Sequence, residues 1–397
     1  MKHTMMVLMI LLVSVVPATA QTAMEANLDA CVTDYDAATD YFPDKADIQD
    51  AENLSVEYFN NYKVVEVADA YDSAPPFTYV LVQCGTPTPD AAEFPADAQF
   101  IEVPISSIVT LATTQLPGLD ALGLIDTIVG VDGFDFINTP AVRERIDAGE
   151  IEAVGSGADI NVELVLGLEP DLVMAFGFNP ATDAHPVLLD AGVPTALNAS
   201  WREGTPLGRA EWMKFTGLFY NAEAEAEAVY SDIATSYAEA VELAASIPAD
   251  AQPTVLWNYF SPFSDSWTIP GGDTYIGRLI ADAGGVVALG ETAPDDSVDV
   301  SFEAVYDAEL DADIWVANAF GIYTYDDLLA SDPRFADFEA ASSGDVWNNT
   351  LDVNENGGNN YYELGAANPD LVLRDMVAIF HPDLLPDHEF VFFEPLD

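Results

Sequence analysis

Basic side chains are what this sequence has least of: 11 Lys and Arg stand against 68 Asp and Glu in 397 residues, a formal charge of −57. With so few cations the chain cannot displace counterions from a phosphate backbone, which excludes nucleic acid and anionic membrane surfaces as partners. The acids run along the whole length, so they describe a solvated exterior suited to a salty or acidic medium. A strongly anionic ligand would be repelled unless a local basic cluster met it.

Histidine is nearly as scarce. His3 sits in the N-terminal apolar segment, and "HPDLLPDH" (381–388) holds two prolines without helical i, i+3 or i+4 spacing, so it is no zinc-ligand pattern. His185, His381 and His388 are expected at the surface or in turns, and no metal ligand is assigned. A G-x-S-x-G nucleophile elbow is also missing. The glycine-rich stretches "VGSGAD" (154–159), "PGGD" (270–273) and "NENGGNN" (354–360) lack a phosphate-loop lysine or dinucleotide spacing and read as turns. With 68 acids some carboxylate pair falls at any spacing, so glycosidase logic discriminates nothing. No catalytic residue and no cofactor emerge, and the chain is not expected to be an enzyme. A secreted hydrolase using cleft carboxylates is the competing class.

Long apolar runs are limited to one. Lys2 precedes "MMVLMILLVSVV" (5–16), followed by Pro17 and Ala18-Thr19-Ala20, the layout of a cleaved signal over 1–20. No later stretch reaches the ~18–20 apolar residues of a bilayer span. The mature chain is therefore expected to be exported and soluble, in a periplasm or outside the cell. Only Cys31 and Cys84 are present. In an oxidising compartment such a pair suggests one disulfide closing a long loop, worth roughly 2–4 kcal/mol, the alternative being two separate buried thiols. A lipid tether at Cys31 is the other option, and Asp29 in the preceding "LDA" fits it poorly.

What the sequence does have is 50% hydrophobic and 11% aromatic residues, enough for real cores. Residues 21–100 read as an N-terminal extension carrying edge strands such as "YKVVEVADAY" and "FTYVLVQC". From 101 to 207 short apolar strands alternate with helices, the pattern of an α/β lobe around a mostly parallel sheet. One long helix is expected over 208–247, opened by Pro206 and closed by Pro248. Residues 248–397 repeat the α/β pattern. "NVELVLGLEPDLVMAFG" and "SFEAVYDAELDADIWVANAFG" both run helix, acidic turn, apolar strand, aromatic-glycine loop. The expected fold class is thus α/β, two lobes joined by one long helix with a ligand cleft between them.

In open α/β sheets ligands sit beyond the C-terminal strand ends. Aromatic, amide and hydroxyl side chains on such loops, with one arginine, make the candidate ligand set: Thr114, Gln115, Phe134, Trp201 and Arg202 from the first lobe, and Trp267, Tyr275, Phe320, Asn359 and Tyr361 from the second.

These residues belong to stretches that resemble a known class. "ISSIVTLATTQLPGLDALGLIDTIVGVDG" (105–133), "NVELVLGLEPDLVMAFG", "PLGRAEWMKFTGLFYN" (206–221) and the tail 356–396 look like a substrate-binding protein of an ABC importer, in the class that takes up ferric siderophores, haem and cobalamin. The resemblance covers about residues 55–397. It implies two lobes bridged by a long helix, a bulky metal chelate in the cleft with Arg209 of that helix near it as a further ligand candidate, and an ABC permease as partner; the chain itself is expected to be a monomer. It also implies one docking carboxylate on each lobe tip, which by motif position are Glu163 ("NVE") and Glu303 ("SFE"). Few arginines are available for an anionic ferric chelate, so a neutral or cationic chelate, or a corrinoid, fits as well.

Overall fold

A computed structural model describes residues 26–261 and 264–397; the expected signal segment 1–20 lies outside them. The N-terminal lobe holds two sheets. The first orders β1 (Leu54–Tyr58), β2 (Tyr62–Val67), β3 (Phe77–Gln83) and β4 (Gln99–Val103) in sequence, antiparallel except for the parallel β3–β4 pair. β3 is buried at every position but its first, and β2 and β3 are interior strands, not the edge strands expected. The reason is the helix Pro206–Tyr220, whose Phe215 and Phe219 pack edge-on against Tyr79 and put this sheet in the lobe's main core. A boundary at residue 100 therefore cuts through β4.

The second sheet is entirely parallel: β5 (Ile108–Thr110), β6 (Ile128–Val131), β7 (Glu152–Ala153), β8 (Leu172–Ala175) and β9 (Thr195–Leu197), ordered β7-β6-β5-β8-β9. The C-terminal lobe mirrors it with β10 (Thr254–Trp257), β13 (Val286–Val287), β15 (Ile314–Val316), β16 (Val346–Asn348) and an antiparallel β17 (Glu394–Pro395), ordered β13-β10-β15-β16-β17. β11 (Phe260–Ser261), β12 (Ser266–Ile269) and β14 (Val298–Val300) form a small antiparallel sheet beside it. The repeated motif is real structure. Asp171 accepts from the backbone N–H groups of Ser106 (2.8 Å) and Ser107 (3.0 Å), just before β5. Asp313 accepts from Thr254 N–H (2.8 Å) at the start of β10. In both lobes an aspartate at the foot of one strand ties down the foot of its neighbour.

The single helix expected over 208–247 is two, Pro206–Tyr220 and Glu223–Ala244, folded against each other as a hairpin. Asn221 breaks the run with φ 57°, a left-handed conformation that Asn tolerates better than most residues. Its side chain accepts from Lys63 Nζ (3.1 Å) and donates to Leu28 O and Gln83 Oε1 (both 2.8 Å). Those long-range partners are invisible to helical periodicity, which continues across the break. The second helix does the bridging. At about 1.5 Å per residue its 22 residues span roughly 33 Å, and Tyr237, Ala240 and Ala244 enter the core of the C-terminal lobe.

Residues 26–53 strap the hairpin. Glu211 accepts from the backbone of Gln49, Asp50 and Ala51, and Glu203 from that of Glu52 and Asn53. A Cys31–Cys84 disulfide anchors the strap to the end of β3. Lys214 and Lys63 are fully buried in ion pairs with Glu211 (2.9 Å) and Glu223. His185 and His381 are buried, contrary to expectation: His185 packs on Tyr71 and Phe77, and His381 Nε2 meets Gly284 O at 3.0 Å.

Candidate functional site

A cavity of about 600 Å³ opens between the lobes, inside the range of roughly 300–1,000 Å³ typical of small-molecule sites. Its N-terminal wall comes from loops at strand C-terminal ends: Thr114 and Gln115 after β5, Phe176 and Phe178 after β8, Asn198 and Trp201 after β9. Arg209, Trp212 and Met213 of the helix Pro206–Tyr220 form the floor. The opposite wall is Tyr275, Ser297, Asn318, Tyr361 and Tyr362.

The charge distribution sets this cavity apart from the rest of the chain. Among the described residues its wall carries no Asp or Glu, and Arg209 is its one cation. The Arg209 guanidinium crosses the cleft and lies 3.8 Å from the centre of the Tyr275 ring, a cation–π contact between the lobes. Its Nε donates to Glu203 O (3.1 Å) and its Nη2 to Trp201 O (3.0 Å). Burial pushes its pKa down, opposed by Tyr275, Tyr361 and Glu203. Burial also holds the Tyr361 hydroxyl well above the usual phenol range, so it is a neutral O–H donor and acceptor. Tyr361 OH and Gln115 Oε1 are buried without a hydrogen-bond partner among the described residues. Buried polar groups are normally paired, so two orphans facing the cavity from opposite walls mark places for ligand atoms. The rings of Phe178 and Trp201 lie 5.9 Å apart on the rim, tilted by 48°, and are 69% and 38% exposed, ready to cover an apolar face.

A polar clamp joins the lobes beside the cavity. Glu363, on the helix Asn360–Ala367 that presents Tyr361 and Tyr362, accepts from the backbone N–H groups of Asn138 and Thr139 (both 2.7 Å) and from the Thr139 hydroxyl. Thr139 makes no capping bond for the helix Pro140–Asp147, so this carboxylate from the other lobe supplies the anion at that helix start. Asn354 donates to Asp135 O (3.0 Å), and Gly358 lies so close to Phe136 that a Cβ would sit 2.7 Å from its backbone. The "NENGGNN" stretch is thus an interlobe contact.

Of the expected ligand residues, Thr114, Gln115, Trp201, Arg209, Tyr275 and Tyr361 line the cavity. Five do not. Trp267 is fully buried among Trp315, Phe335 and Phe338, with its indole donating to Trp257 O. Arg202 turns away to Asp69 (2.6 Å) and Asp72 (2.7 Å). Asn359 caps its own helix, accepting from Tyr361 N–H (2.9 Å). Phe134 packs at the edge of the N-terminal core, its carbonyl accepting from Arg143. Phe320 is 72% exposed and sits against Gly357 outside the cavity. Phe176, Phe178, Asn198 and Asn318 were missed, although each follows a parallel strand end, the position that should have flagged them. Nothing local distinguishes Glu363 from the other acids.

Glu163 and Glu303 are both exposed, each in the first turn of the repeated helix, Val162–Leu168 and Phe302–Ala308. Glu303 lies 3.5 Å from Arg334, which also pairs with Asp332 and stacks on Phe302.

The periplasmic binding protein family model matches residues 108–348, more than half of the chain. An uncharacterized lipoprotein of Methanocaldococcus jannaschii is 26% identical over 315 residues, covering 77% of this chain and 76% of that one. Two solved structures share the fold. A periplasmic heme-binding protein of Pseudomonas aeruginosa has TM-score 0.55 and 19% identity over 74% of this chain and 98% of its own. A possible iron-binding periplasmic solute-binding protein of Staphylococcus epidermidis has TM-score 0.53 and 16% identity over 70% and 99%. The chain belongs to the periplasmic binding protein family.

Proposed function

We propose that this protein is an extracytoplasmic solute receptor that captures a metal chelate, a ferric siderophore in the first instance, and delivers it to an ABC import permease. One observation carries the reading: in a chain of charge −57 the described residues enclose a cavity with aromatic walls, no lining carboxylate and two buried oxygens, a hydroxyl and an amide, that lack partners among those residues. Such a wall suits a bulky, ring-bearing ligand. The Glu363 carboxylate, on the helix that presents Tyr361, is occupied by donors from the opposite lobe. The iron- and heme-binding proteins of like fold agree with a chelate as cargo. Haem and cobalamin are the alternative ligands, and the receptor acts as a monomer, free in solution once its signal segment is removed.

Fluorescence titration of the mature protein with ferric siderophores, haem and cobalamin tests this. Trp201 and Trp212 line the cavity and report occupancy; Trp257 and Trp267 are buried in the C-terminal lobe and serve as a constant background. Saturable quenching at micromolar or lower concentration is expected for one class, and no response to any of them refutes the reading. Glu163 and Glu303 are the proposed docking pair, since exposed carboxylates on two rigid lobes set orientation and on-rate. Reversal of both to Arg should abolish uptake while leaving chelate affinity unchanged.

A further inference from the structure

We infer that the cavity selects a metal chelate carrying no net negative charge, with one ligand oxygen seated between Arg209 and Tyr361 and an N–H or O–H group at Gln115. The inference rests on the function proposed above and adds the ligand's charge class. Three observations support it. First, Arg209 is the one cation on the wall among the described residues, and it is largely occupied: two of its donor nitrogens hold the carbonyls of Trp201 and Glu203, and one face lies on Tyr275. Second, the Glu203 carboxylate acts on Arg209 from inside the N-terminal lobe. It is fixed there by Trp212 Nε1 (2.9 Å) and the backbone of Glu52 and Asn53, so the cavity and its backing are close to electroneutral. Third, the surrounding chain is a polyanion whose field opposes any anion entering the cleft.

The ligand's own groups follow from the wall. Tyr361 OH and Gln115 Oε1 need one partner each, and the rest of the surface offers aromatic faces and neutral amides. A ferric tris-hydroxamate, in which three anionic chelating groups cancel the iron charge, meets these terms, as does a neutral corrinoid. A ferric tris-catecholate retains three negative charges, and haem carries two carboxylates that would need cations the wall does not supply.

Isothermal titration of the mature protein with a linear ferric tris-hydroxamate, cobalamin, a ferric tris-catecholate and haem decides the matter. Expected is saturable binding of at least one neutral chelate, with both anionic ligands weaker by at least about tenfold, equivalent to ~1.4 kcal/mol. The gap should narrow as salt rises and screens the field. Ser297→Lys, which adds a cation at an exposed wall position, should narrow it too and should not disturb folding. Tighter binding of the catecholate or of haem than of both neutral chelates overturns the inference while leaving the receptor function intact. Binding of none of the four overturns both. A gap that responds neither to salt nor to Ser297→Lys refutes its electrostatic origin.

Discussion

Asp171 shows how much a single acid can do in a chain full of them. Burial raises its carboxyl, but hydrogen bonds from Ser106 and Ser107 outweigh that and leave it below the usual carboxylate range. A depressed folded value means its stabilisation is present above the unfolded pKa of about 3.9 and is lost as pH falls through the lower folded value. Asp171→Asn should therefore cost about 1 kcal/mol at neutral pH, a modest figure because the carboxylate is exposed, and should flatten the acid limb of the stability profile. Urea midpoints measured from about pH 3 to pH 7 check this; an unchanged acid limb would remove the role assigned to those bonds. Glu363 is the opposite case. Burial raises its carboxyl against the bonds from Asn138 and Thr139, so its contribution is full below the unfolded value and declines as pH rises through the folded one. Glu363→Ala leaves the Asn138 and Thr139 N–H groups without their acceptor and is expected to cost roughly 1–3 kcal/mol. It should also weaken ligand binding, because Tyr361 and Tyr362 ride on the same helix.

Residues such as these also mark where sequence reading ends. Trp267 and Trp201 are equally plausible on paper, and only the contacts separate them: Trp267 meets Trp315 and Phe335, whereas Trp201 meets open space beside Phe178. Arg202 lies off the cavity for a similar reason, its partners Asp69 and Asp72 lying over a hundred positions away in the chain.

Strands and helices were legible because their signals are local. The alternation of apolar strands and helices from 101 onward pointed to both mostly parallel sheets, and the duplicated helix-turn-strand motif to two lobes. The break at Asn221 was not legible, since the apolar stripe runs through it and the cause lies in Lys63, Leu28 and Gln83. The hairpin that results depends on close helix approach at Gly217, where a Cβ would sit 3.0 Å from Ala226 Cβ and 3.2 Å from Ala222 O. Gly217→Val should force the helices apart at a cost of about 1–3 kcal/mol despite its exchange of Gly for a side chain in a helix. Chemical denaturation reads this directly, and a neutral or stabilising result would show that the helices can separate without loss.

At the scale of the whole molecule the acids act together. Each of the ten described Lys and Arg side chains already holds an oxygen of its own chain, from Lys45 on Asp40 to Arg374 on Glu239. The exterior thus keeps nearly all of its self-repulsion, which salt relieves by shortening the screening length from about 10 Å at 0.1 M to about 3 Å at 1 M. Thermal midpoints should climb steadily across that interval, and a flat or falling curve would mean that the charge is neutralised in some other way.

The interlobe clamp has a mechanical corollary. Lobes pinned by Glu363 and Asn354 and spanned by one continuous helix have to break these bonds before they swing apart like a pair of jaws. Empty and loaded protein should then scatter X-rays almost identically, and loading is governed by how a ligand threads a standing slot. For the proposed receptor, release is the harder half of the cycle, because levering the lobes open has to strip Glu363 from Asn138 and Thr139, and nothing among the described residues supplies that work. It has to come from whatever grips both lobes at once.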